Sequence, residues 1–212
     1  MTRLIIVRPG YSEGNKEKRF SGQMDTPLNE VGFAQAASTA KYILQNYAVD
    51  AVYASDLCRA LDTVKPIAEI LKIPLKARKD LREVDVGLWQ GMLIEDVRKQ
   101  FPESFDLYRR KPGLATFDGG ESYALALERA ERAIREIAEE NEEKTVVIGT
   151  HGGVIRVLRA AWTGVTLENI ESISHVPNAS VTVAEYESGA VSLSLIGYCE
   201  HLTERTAEKV IQ

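Results

Sequence analysis

The feature that most constrains this chain is a run of uniformly apolar, mostly β-branched residues, Leu4-Ile5-Ile6-Val7, closed at once by Arg8-Pro9-Gly10. Such a run has no polar face, so it reads as a strand buried on both sides, which is the habit of parallel sheets covered by helices. Two more runs repeat the pattern. Asp50 to Ala54 is followed by helix-start signals at Ser55 or Asp56, and Thr145 to Gly149 is followed by His151-Gly152-Gly153. Ile73 to Ala77 is a further strand candidate.

Helical segments alternate with these strands. Asn29 is placed to cap a helix over Glu30 to Tyr47. A second helix runs to about Leu71, with a kink expected at Pro66. Ser122 to Glu142 has the strongest period, with Leu127, Ala130, Ile134 and Ile137 on one face and charges mainly opposite. A helix from Val154 to Trp162 follows the His151 turn. Ser180 to Tyr186 and Val191 to Ile196 alternate as a hairpin turning near Ser188-Gly189. The predicted fold is α/β: a three-layer α/β/α sandwich with a mostly parallel sheet. Residues 1–212 read as one domain without repeats or linkers. Residues 11–29 read as a long polar loop, and 84–120 as an insertion or lid whose base is packed by Trp89.

Charge limits the partners. The chain has 26 Lys and Arg against 31 Asp and Glu, a net −5, which argues against a nucleic-acid surface. A local arginine cluster can still make a positive pocket on an acidic protein. No run is long enough for a membrane span or a secretory leader, so a cytoplasmic location is expected. Cys58 and Cys199 are expected as reduced, mostly buried thiols. The three histidines have no metal-ligand spacing, and neither metal nor other cofactor is expected.

In open α/β sheets, ligands bind beyond the carboxyl ends of the strands. Arg8 follows the first strand. Arg59 lies one turn into the helix after the second, and His151 precedes a glycine pair and a helix start. Two guanidiniums and an imidazole beside a helix N-terminus suit a phosphate dianion. Asn15, Ser21 and Gly22 are candidates for lining the same pocket, and Gly152 lets a ligand approach the backbone. Ser12 either lines the same loop or is a turn former, and Tyr11 and Glu13 stand beside them without a role. Arg109-Arg110-Lys111 could meet a polyanion from the lid or form a solvated basic cluster.

Six blocks in order carry a resemblance. LIIVRPGYSEGN, SGQMDTPLNEVGFAQA, YASDLCRALDT, LREVDVGLWQG, GGES at 119–122 and IGTHGGVIR resemble those of the histidine phosphatase (phosphoglycerate mutase-like) superfamily. PNASVTV at 177–183 and the late His201-Leu202 fit the same pattern. The resemblance implies a phosphate pocket of Arg8, Arg59 and His151, with Glu83 as the acid that protonates the leaving alkoxide. Asp85 is the rival acid in that stretch. The short region between Glu83 and Gly119 resembles the phosphatase branch rather than the mutases. The implied partner is a small phosphorylated molecule or inorganic phosphate; the motifs do not specify an oligomeric state.

The resemblance breaks at Pro9, where the family's Arg-His-Gly loop carries the nucleophilic histidine. Loss of a covalent nucleophile can cost on the order of a million-fold in turnover. Hydrolysis of phosphomonoesters is therefore expected to be absent or severely impaired. Alternatives remain: an active phosphomonoesterase or phosphoglycerate mutase whose native residue 9 is His, a non-enzymatic phosphoryl-ligand sensor or scaffold, or takeover of the attack by His175. That last route needs in-line placement within about 3.5 Å of phosphorus.

Overall fold

The alternation along the first strand decides the layering. In the computed structural model, which describes residues 1–202, β1 (Thr2–Val7) runs through the sheet interior with Leu4 to Val7 at 0–1% exposure. Leu4 and Ile6 belong to one apolar cluster, and Ile5 and Val7 to the other. This is the period-2 signature of a strand buried on both faces.

After β1 the chain forms a short helix, α1 (Glu13–Lys16), where the sequence reading had only loop. Ser12 and Asn15 cap it reciprocally. Then come α2 (Glu30–Asn46), β2 (Ala51–Ser55), α3 (Cys58–Leu71) and β3 (Leu75–Arg78). Residues 84–120 contain α4 (Ile94–Gln100), α5 (Pro102–Arg110) and short 3-10 turns. The chain ends with α6 (Tyr123–Glu140), β4 (Thr145–Gly149), α7 (Gly152–Trp162), β5 (Val181–Glu187) and β6 (Ala190–Tyr198).

The six strands lie in the order β3-β2-β4-β1-β5-β6. β1, β2, β3 and β4 are mutually parallel, whereas β5 is antiparallel to both β1 and β6. Ile134 and Ile137 of α6 and Ile155 and Leu158 of α7 cover the face of Leu4 and Ile6. Ala40 and Ile43 of α2 and Val64 and Ile67 of α3 cover the face of Ile5 and Val7. The chain is thus an α/β/α sandwich with a mostly parallel sheet. Among the described residues, no helix is long and apolar enough to cross a membrane.

Several boundaries differ from the sequence reading for local reasons. β3 starts after Pro74 because Lys72 ends α3 in the left-handed region and the Ile73 N–H still donates to Ala68 O at 3.1 Å. α3 continues through Pro66 as one helix. Neither Ser55 nor Asp56 caps it; its N-cap is Leu57, and the Cys58 N–H donates instead to Asp25 Oδ1 at 2.7 Å. α7 begins at Gly152, two residues earlier than expected. At the acidic end of α6, Tyr186 Oη donates to Glu139 and Tyr53 Oη to Glu140. Both cysteines are free thiols but half-buried rather than mostly buried.

The segment 84–120 has a core of its own. Trp89 sits among Phe20, Phe101, Phe105, Tyr108 and Phe117. These aromatics join Val84, Val86 and Val97 in a third apolar cluster that reaches Val157 and Ala160 of α7.

Candidate active site

The register of the sheet places the candidate residues at one end. Val7 pairs with Gly149, and Gly149 also pairs with Ala54, so β1, β4 and β2 finish side by side. The residues that follow them converge on a cleft of about 230 Å³. Arg8, Arg59, Glu83 and His151 line it, as do Asn15, Ser21, Gly22 and Gly152.

Arg59 is 5% exposed. Its Nη1 donates to Met24 O and its Nη2 to Gly22 O, both at 2.7 Å, which fastens the loop before α2 over the cleft. Arg8 Nη1 donates to Val176 O, and its guanidinium lies against Gly152. Burial lowers the pKa of both arginines, and the nearby Glu83 carboxylate partly opposes this. Among the described residues, neither forms an ion pair. Among the described residues lining the cleft, Glu83 is the one carboxylate set against these guanidiniums, so an entering anion adds charge compensation.

His151 is 1% exposed, with Nε2 2.8 Å from Ser55 Oγ. Ser55 therefore braces the imidazole instead of capping α3. Burial first, then the charges of Arg59, Arg129, Arg8 and Arg82, hold this histidine well below its usual pKa, so it is neutral near pH 7.

Glu83 stands at the start of α7. Its Oε2 accepts from the Gly153 N–H at 3.0 Å, and its Oε1 accepts from Val154 at 3.2 Å and Val84 at 2.9 Å. A carboxylate gains from the partial positive charge of a helix N-terminus. The rival Asp85 turns away from this chemistry: its Oδ1 accepts from Gly87 N at 2.9 Å, and it does not line the cleft.

One residue behind Glu83 escaped the sequence reading. Arg129, on the α6 face assigned to solvent, donates to the carbonyls of Asp80, Arg82 and Glu83 and forks onto Glu121. Nothing in the local pattern distinguishes it from its charged neighbours. Asn178 was also without a role. Its Nδ2 donates to Pro9 O at 3.0 Å and lies 3.3 Å from Asn15 Oδ1. Asn15 Oδ1 also receives the Ser12 N–H and hydroxyl, so Asn15 braces the loop as well as lining the cleft.

Pro9 is buried, and its carbonyl also accepts from Ala179 N at 3.0 Å. The next residue is tightly placed: a methyl group on Gly10 would lie 2.6 Å from Gly32 O of α2. The backbone on both sides of residue 9 is thus fixed without using its side chain.

His175 lines the cleft, but its bonding opposes a nucleophilic role. Arg156 Nη1 lies 3.2 Å from His175 Nε2, and a guanidinium can only donate. Nε2 therefore uses its lone pair as an acceptor, and in the neutral ring Nδ1 carries the proton. Neither nitrogen keeps a free lone pair for attack on phosphorus. The basic run Arg109-Arg110-Lys111 is outside the cleft; Arg110 pairs with Asp106 and Lys111 with Glu171.

The family model for the histidine phosphatase superfamily (branch 1) matches residues 4–198. The chain belongs to the histidine phosphatase superfamily. Among curated relatives of this histidine phosphatase chain, phosphoserine phosphatase 1 of Hydrogenobacter thermophilus is 32% identical over 204 residues, covering 96% of each protein. A metal-independent phosphoserine phosphatase of Arabidopsis thaliana is 34% identical over 86% of this chain and 76% of its own length. Among solved structures, YhfR of Bacillus stearothermophilus superposes with a TM-score of 0.90 at 31% identity, covering 95% of this histidine phosphatase chain and 99% of its own. A mycobacterial glucosyl-3-phosphoglycerate phosphatase, Rv2419c, gives 0.83 at 29% identity, covering 91% and 97%.

Proposed function

We propose that this chain binds a small phosphorylated molecule, or inorganic phosphate, in the cleft between Arg8, Arg59 and His151, and that Pro9 leaves its phosphomonoesterase chemistry absent or severely reduced. The observation that carries the reading is the pair of guanidiniums lining the cleft, half-buried Arg8 and buried Arg59, without ion-pair partners among the described residues. Both line the cleft, and Arg8 lies against Gly152 at the N-terminus of α7, whose dipole adds positive potential. A related phosphatase, Rv2419c, has been solved with inorganic phosphate and with VO3.

In the ancestral reaction, a histidine at position 9 attacks phosphorus. The P–O bond to the leaving group breaks, and a phosphohistidine forms. Arg8, Arg59 and neutral His151 hold the phosphoryl oxygens. Glu83, once protonated, gives its proton to the departing alkoxide and then takes one from the attacking water. Proline supplies neither a lone pair nor an N–H, so the first step has no nucleophile. What remains is ground-state binding.

The intact frame around residue 9 favours one second reading, an active phosphomonoesterase whose residue 9 is His. The Pro9 carbonyl contacts and the Gly10 packing do not depend on the residue 9 side chain. The open cleft disfavours a pure scaffold. Phosphate release from an aryl phosphate, measured for the chain and its Pro9→His variant, separates these readings. An inert chain with an active variant supports the proposal. Fast turnover by the chain itself would refute it.

A further inference from the structure

Next to Glu83, but outside the cleft lining, lies an ion pair that phosphate binding does not use. The side chains of Arg129 and Glu121 are 15% and 16% exposed, the least exposed ion pair among the described residues. Desolvating two charges is costly unless good geometry and further hydrogen bonds offset it. Both are present here. A guanidinium has five N–H donors, and Arg129 uses every one. Nε and Nη2 fork onto Glu121, Nη1 donates to Asp80 O at 2.9 Å and Arg82 O at 2.6 Å, and Nη2 also donates to Glu83 O at 2.9 Å.

Glu121 holds the far side of the same segment. Its Oε1 accepts from the Asp85 N–H at 3.0 Å, and its own N–H donates to Asp85 O at 2.9 Å. Gly120 allows this approach, since a methyl group there would lie 2.3 Å from Asp85 O. The backbone is thereby clamped on both sides of Glu83. Gln23 Nε2 adds a second donor to the Glu83 carbonyl at 3.1 Å.

This clamp complements the contacts at the tip of the side chain. The N–H groups of Val84, Gly153 and Val154 hold the two carboxylate oxygens of Glu83. A proton on Glu83 removes the negative charge on which those bonds and the pull of the helix start depend. The Glu83 carbonyl keeps its bond from the Arg129 guanidinium in either protonation state. Building on the reading of Glu83 as the acid of the phosphomonoesterase chemistry, we infer that Arg129, braced by Glu121, is a positioning residue. It holds Glu83 in place when the carboxyl is protonated and about to give its proton to the leaving oxygen.

A Pro9→His background supplies the turnover, and leaving-group chemistry supplies the test. The para-nitrophenyl and para-methoxyphenyl phosphates carry the same ring. The methoxyphenolate is the more basic and needs a proton as its P–O bond breaks, whereas nitrophenolate departs without one. The ratio kcat/KM reports formation of the phosphohistidine, the step in which the phenol leaves. Arg129→Met should lower it about a hundredfold for the methoxyphenyl ester and less than about threefold for the nitrophenyl ester, as loss of a placed general acid requires. The calorimetric affinity for inorganic phosphate should not change. Arg129→Lys leaves Glu121 a counter-charge but cannot span three carbonyls, so it should show the same selective loss to a smaller extent. Equal losses on both esters, a matching loss of phosphate affinity, or full activity of Arg129→Met on both esters overturns this proposal alone. An inert Pro9→His parent removes the phosphomonoesterase reading and this proposal together.

Discussion

Glu83 and Gly153 fit each other without slack: the Gly153 N–H donates to Glu83 Oε2 at 3.0 Å, and a methyl group on residue 153 would lie 2.5 Å from Glu83 Oε1. Gly153→Ala must therefore push the carboxylate aside. In a Pro9→His background, the displacement should lower kcat by roughly a hundredfold, the scale expected for misplacing a reacting group by about 1 Å. Phosphate affinity should change little, because the guanidiniums are untouched. Steady-state kinetics beside calorimetry checks both halves.

Arg59 ties the loop carbonyls of Gly22 and Met24 to the cleft while keeping charge for an anion. Arg59→Met should weaken phosphate binding by about 10- to 100-fold, the range for hydrogen bonds to charged groups. Arg59→Lys should recover only part of the loss, since an ammonium cannot reproduce the planar fork. Equal affinities for the lysine variant and the parent chain would show that charge alone matters.

Pro9→His should cost little stability. The hydrogen bonds at residue 9 run through its carbonyl, from Ala179 N and Asn178 Nδ2, and survive the change. The expected loss is below about 1 kcal/mol, from the greater freedom of the unfolded chain once proline is gone. Urea denaturation measures it directly. A loss above about 2 kcal/mol would mean that the loop depends on the pyrrolidine ring.

Acid should destabilise the fold through His151. In the unfolded chain this residue takes a proton near pH 6.5, whereas in the fold its pKa lies well below that value. Below about pH 6.5 the unfolded state therefore binds more protons, so stability falls as pH falls until the folded-state pKa is reached. The slope from this one site approaches about 1.4 kcal/mol per pH unit. His151→Asn should flatten that part of the profile in denaturation series from pH 8 to about pH 5.

Local chemistry made much of the scaffold legible. Asn29 caps its helix as expected, through acceptance from Gly32 N, and Ser122, read as the first residue of its helix, is instead the N-cap that accepts from Leu125 N. The apolar runs at Leu4–Val7 and Thr145–Gly149 are central strands, and Ser188-Gly189 turns the hairpin. The strand-end residues converge because parallel strands must all deliver their carboxyl ends to one side. The rest depends on partners distant in sequence. The Cys58 N–H finds its acceptor 33 residues away in Asp25, and Arg129 reaches back 46 residues to the Glu83 carbonyl. His175 looked like a spare nucleophile until the bond to Arg156 Nη1 showed how its Nε2 is used. No periodicity or spacing rule encodes such pairings.

The parallel ladder that sets Val7 beside Gly149 also has a kinetic consequence. Arg8 and His151 extend from adjoining strands of the core, and that wall opens only when the sheet itself comes apart. A bound anion has no rear exit. Its way in and out passes residues 11–29 and 84–120, which supply Asn15, Ser21, Ile94 and Tyr108 to the lining, so substitutions at the rim that spare these lining residues are expected to change association and dissociation rates together.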